Sequence, residues 1–137
     1  MKRARALTLA VCALSLSGVL GCAEPPALVV VLQVQEGADL NTSNVSGLLV
    51  RIGQEERSLP ASRGAQQAIE LAAAPAGPTE IVVFACTANA ACRSGLATFV
   101  GCVEQDLQPS VEPVPVFVRI FDVATPPEEC VPFIDPE

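Results

Sequence analysis

The chain of 137 residues has no histidine, no tryptophan and no tyrosine, and its one lysine is Lys2. Without histidine the usual general base of hydrolytic triads is missing, and so is the common nitrogen ligand of zinc. With no lysine beyond position 2, Schiff-base chemistry and a serine–lysine pair have no candidate. Sugar-cleaving sites hold their substrate against aromatic platforms, and here the only aromatics are five phenylalanines. Gly47, Gly53 and Gly64 stand isolated, so no glycine-rich phosphate loop occurs. A pair among the fifteen acids is the one remaining route to glycoside cleavage. The expectation is a protein that is not an enzyme and takes no cofactor.

Positive charge is scarce as well, and it is placed unevenly. Lys2, Arg3 and Arg5 open the chain, and the fifteen residues ALTLAVCALSLSGVL, from Ala6 to Leu20, carry no charge. A basic start before an apolar stretch of this length has the form of a secretory signal peptide. Spanning a bilayer takes about 20 apolar residues. Removing residues 1–21 leaves 116 residues and takes the formal charge from −7 to −10. That is the size of one domain. A surface this acidic is repelled by nucleic acid, which is not expected as a partner. The acids stand singly or in pairs such as Glu55-Glu56 and Glu128-Glu129, as on a solvated surface.

At the end of the leader, Val19-Leu20-Gly21-Cys22 resembles the lipobox of bacterial lipoproteins, with an aliphatic residue three before the cysteine and a small one just before it. Val19 stands where leucine is usual, and Leu20 where alanine or serine is commoner. The resemblance implies that Cys22 is alkylated with diacylglycerol, becomes the N-terminus and is acylated, palmitate-like, on its amine. Two or more chains anchor a protein stably where one does not. The alternative is an ordinary secreted protein with Cys22 in a disulfide. Residues 22–26 form a tether in which Pro25 and Pro26 favour an extended chain of about 3 Å per residue, a reach on the order of 15 Å. Ala23 replaces the aspartate that holds enteric lipoproteins at the inner membrane, so the resemblance implies export and an outer-membrane anchor.

Cys12 lies in the leader. Besides Cys22, four cysteines remain beyond the leader, Cys86, Cys92, Cys102 and Cys130, with no C-x-x-C pair. An even number in an exported domain implies disulfides in one of three connectivities. The preferred pairing joins Cys86 to Cys92, closing the loop TANAA, and Cys102 to Cys130, pinning the tail.

From Ala27 onward the residues alternate at the period of strands. ALVVVLQVQ sets Leu28, Val30, Leu32 and Val34 on one face, and LLVRIGQ sets Leu48, Val50 and Ile52 inward. ERSLP ends at Pro60, which a central ladder does not tolerate. QQAIELA, TEIVVFAC, LATFVGCV and VPVFVRIFD follow, and TEIVVFAC is apolar on both faces, as a central strand is. Phe117 and Phe121 share one face of the last strand and are assigned to the core, an exposed apolar patch being the other reading. The tail ATPPEECVPFIDPE is expected to be irregular.

About seven strands without a helical period predict an all-β fold, an antiparallel sandwich of two sheets held by disulfides. AAAPAGPTEIVVFAC and GLATFVGCVEQDL are similar to the prealbumin-like or Ig-like domains of bacterial surface lipoproteins, in which a Pro-Gly turn introduces a central strand and a glycine marks a later hairpin. The sandwich is expected over residues 27–122 and the tail over 123–137.

Two loops are candidates for binding. EGADLNTSN offers oxygens from Glu36, Asp39 and Asn41, but its spacing matches no calcium loop, and Asp and Asn in turns usually bond their own backbone. No metal is expected. NTS at Asn41 and NVS at Asn44 fit the glycosylation acceptor pattern, which under the lipoprotein resemblance is expected to be a chance match. CTANAAC, tipped by Asn89, either staples a hairpin or presents rigid backbone to a partner. The expected function is a lipid-anchored envelope protein with a structural or protein-interaction module. The alternative is a ligand-binding module, a protease inhibitor or calcium-assisted adhesin.

The anchor is tested at Cys22. Cys22→Ala should block processing or release the protein from membranes in fractionated cells, and unchanged processing with membrane retention would refute lipidation.

Overall fold

A computed structural model describes residues 27–36, 44–61, 66–73, 75, 77–87 and 91–134. Seven strands carry the fold: β1 (Leu28–Glu36), β2 (Gly47–Ile52), β3 (Glu55–Pro60), β4 (Gln67–Leu71), β5 (Gly77–Cys86), β6 (Phe99–Leu107) and β7 (Val114–Asp122). Short 3-10 helices lie at Ser94–Leu96 and Glu128–Phe133. Cys22 and its tether lie outside the described residues.

The alternation is visible in the burial. Leu28, Val30 and Leu32 of β1, Leu48, Val50 and Ile52 of β2, and Val116, Val118 and Ile120 of β7 meet in one core with Ile81, Val83 and Ala85 of β5. Gly53 takes a positive φ of 58° in the two-residue turn between β2 and β3, a conformation that such hairpins require and glycine adopts freely.

The strands form one sheet in the order β3-β2-β5-β6-β7-β1-β4. The ladders are antiparallel except between β1 and β7, which run parallel from Val30↔Val114 to Glu36↔Ile120. The expectation of an antiparallel fold is corrected here, and parity explains why. Every connection reverses the chain, so odd-numbered strands point one way and even-numbered strands the other. The first and seventh strands, once adjacent, must be parallel.

The sheet is nearly barrel-like. Its inner faces share one core, and the β6–β7 ladder consists of Phe99↔Asp122 and Val100↔Phe121 alone. Gly101 follows at once. A Cβ there would press into the Arg119 carbonyl oxygen and lie 2.8 Å from Val118 Cγ1, so only glycine lets β6 cross this close to β7. At the open side, Gln67 Nε2 donates to the Pro60 carbonyl at 2.9 Å, linking the ends of β3 and β4.

A second, smaller core lies outside β5, where Val82, Phe84 and Cys86 pack with Cys92, Val100 and Cys130, and Phe133 and Ile134 of the tail cover them. The tail is thus not irregular throughout, because Glu128–Phe133 is helical and packed. Two other expectations are corrected. Phe117 points away from the core at 51% exposure, with Phe121 half-buried on the same side, because the Val116–Val118–Ile120 row of β7 faces inward. The strand expected over LATFVGCV begins at Phe99 and runs on to Leu107, with Leu96 in the preceding 3-10 helix.

Gly101→Ala should cost about 3 kcal/mol in denaturant unfolding, as overpacking against immovable backbone does. Gly95→Ala, where an added Cβ meets nothing within 4 Å, should cost less than about 0.5 kcal/mol. Equal stability of the two variants would refute the close crossing.

Candidate functional site

Because the strands alternate in direction, the molecule has two distinct ends. The chain enters at Ala27, whose amide donates to the Leu71 carbonyl at 2.9 Å. The β2–β3 turn, the β4–β5 connection and the β6–β7 connection lie at that same end. The opposite end gathers the other three connections, β1–β2, β3–β4 and β5–β6, and with them both loops singled out from sequence.

Backbone bonds tie the strand ends beneath those loops. Ser46 N donates to the Cys86 carbonyl at 2.8 Å, Thr98 N to Ala85 O at 2.8 Å, and Val123 N to Thr98 O at 3.0 Å. The Thr87 and Thr98 hydroxyls lie 3.2 Å apart. Cys86 bonds to Cys92, closing the first half of the β5–β6 connection with Cα atoms 5.4 Å apart. The Cys92 sulfur rests 3.6 Å from the Phe84 carbonyl and the Cys86 sulfur 3.6 Å from that of Arg93. Leu96, just beyond, is 52% exposed. Asn89 lies outside the described residues, as do Asp39 and Asn41; Glu36 is exposed at the end of β1 and Asn44 is exposed before β2.

The second bridge, Cys102–Cys130, spans 28 residues and fastens the tail to β6. Both bridges therefore serve the smaller core. They hint at an oxidising environment. Its third fastening was not read from the sequence: the Arg51 guanidinium sits 5.7 Å from the Phe84 ring centroid while Nη2 and Nε bond Glu56 Oε2 at 2.7 and 3.0 Å. Arg51 faces outward in the β2 alternation, which was the available signal.

The described acidic residues are distributed over several strands. Glu55 and Glu56 are held in ion pairs by Arg57 and Arg51. Glu80 and Glu104 stand opposite each other across β5 and β6. An open cleft of about 680 Å³ at the entry end is lined by the apolar Ile52, Leu71, Ala73, Pro75 and Pro78 and also by Glu55 and these two glutamates. Among the described residues no group of three or more His, Cys, Asp or Glu is arranged to hold a metal ion, and no helix is long and apolar enough to cross a membrane.

No protein-family model matches the chain, and no curated protein or solved structure is significantly similar to it.

The bridges differ in expected weight. On the loop-closure model, Cys102→Ala with Cys130→Ala should cost about 3.5 kcal/mol and Cys86→Ala with Cys92→Ala about 2.4 kcal/mol in urea unfolding. Only the first double variant should free the tail for limited proteolysis, and a reversed order would refute the tail's role as cover.

Proposed function

We propose that the protein is an exported, lipid-anchored envelope protein, held in the outer membrane through Cys22, whose β-domain is a non-catalytic interaction module. The observation that carries this reading is the separation of ends: the chain enters beside Leu71, and the disulfide-closed loop sits at the opposite end. A domain tethered in this way directs its most constrained loop away from the lipid. Within this reading the fold is a sandwich of the Ig-like or prealbumin-like kind. The two-pair β6–β7 link supports that assignment, since it nearly divides β3-β2-β5-β6 from β7-β1-β4 around a common core.

One observation favours the narrower reading of a ligand-binding loop. The Cys86–Cys92 bridge and the backbone bonds beneath it hold both ends of the loop, which lowers the entropic cost of binding through it. A photo-crosslinking residue at Thr87 or Leu96 in intact cells should give a discrete adduct that disappears when Cys86 and Cys92 are both alanine. The same residue at Ala72, at the entry end, should not give that adduct. No adduct from either distal position would overturn the interaction reading.

A further inference from the structure

The entry end of the domain has its own surface, and the geometry points to a zwitterionic lipid bilayer as what it rests on. The inference depends on the lipid-anchor reading. Five residue steps separate Cys22 from Ala27, and a fully extended chain covers at most about 18 Å in five steps. The nine residues of β1 extend about 30 Å from that end to the other. The acylated residue therefore stays close to the end where the chain enters, which must lie within a short distance of the headgroups.

Pairing sets three segments side by side there. Leu28↔Leu71 places the start of residues 72–76 beside the entry point, Val30↔Val114 places the end of residues 108–113 beside it, and Gly77↔Leu107 joins those two connections to each other. Their described residues include exposed Ala72, Ala73, Pro109 and Pro113, and no lysine or arginine. Val111 stands at the tip of QPSVEP with 105% exposure, the largest of any bulky apolar residue described. A valine held wholly in water on a loop bounded by prolines is suited to the boundary between headgroups and acyl chains.

Charge selects the kind of lipid. The two ion pairs occupy Glu55 and Glu56, while Glu80, Glu104, Asp106 and Glu112 near this end have no ion-pair partner among the described residues. Such a surface is repelled by anionic headgroups and tolerated by neutral ones.

The absence of native tryptophan allows a clean test. The lipidated full protein is reconstituted on phosphatidylcholine vesicles as Val111→Trp, Phe117→Trp or Leu96→Trp, and its emission is followed with brominated lipid. Docking by this end predicts a blue shift and quenching at position 111 alone, with the quenching reduced when phosphatidylglycerol replaces half of the lipid. Because tryptophan itself favours interfaces, Ala73→Trp is read with Val111 intact and with Val111→Asp, which should lower the quenching. Solvent-like emission at 111 from protein that still floats with the vesicles would overturn the docking and leave the anchor standing. Quenching at 117 or 96 would overturn the orientation, and unchanged quenching in Val111→Asp would overturn the part given to Val111. Failure to float would overturn the anchor reading itself.

Discussion

The structure depends on one strand being apolar on both sides. In β5, Ile81, Val83 and Ala85 point into the main core while Val82, Phe84 and Cys86 point the other way, and all six are buried. Full burial of a side chain as large as valine or phenylalanine is worth about 1.5–3 kcal/mol, so a sheet left open on its outer side would forgo much of that gain. The cover comes from segments with little regular structure of their own, the connection around Cys92 and the 3-10 helix Glu128–Phe133. Neither belongs to a β-ladder. Covalent bonds supply the attachment, which is why both disulfides lie in this layer.

A second constraint is the treatment of the sheet's free edges. A seven-stranded sheet that stops short of closure leaves β3 and β4 unpaired on one side, and exposed edges recruit other chains. Here the inward row of β3 contains the Glu55–Arg57 ion pair, and the strand ends in Pro60, which has no amide to donate. Charge and proline on an edge are recognised guards against further pairing. Gln67 completes the arrangement by reaching across to Pro60. The β3 edge thus carries the charge and proline that discourage a further strand from pairing there.

Those ends differ because seven strands in strict alternation sort six connections into two sets of three. The β1–β2, β3–β4 and β5–β6 connections depart from one end, and the other end receives the incoming chain together with the β2–β3, β4–β5 and β6–β7 connections. Under the anchor reading this gives the domain an inside and an outside without any separate element to orient it.

Much of this was legible in the residues. The alternation of β1, β2 and β7, the edge position implied by Pro60 and the central position of β5 all follow from side-chain period and backbone chemistry, which act within a few residues. The two faces of β7 were harder to tell apart, since both rows are apolar, and Arg119 between Phe117 and Phe121 was the sign that theirs faces outward. The parallel pairing of β1 with β7 was out of reach, because side-chain alternation is the same for either direction and nothing local says which distant strands become neighbours. By itself the sequence determined the class of fold, the strands and the residues able to form a core, since these depend on local periodicity. Only the tertiary structure decided which strands adjoin, that the tail covers β5, and that the constrained loop and the entering chain lie at opposite ends. Those features arise from contacts between segments far apart in the chain.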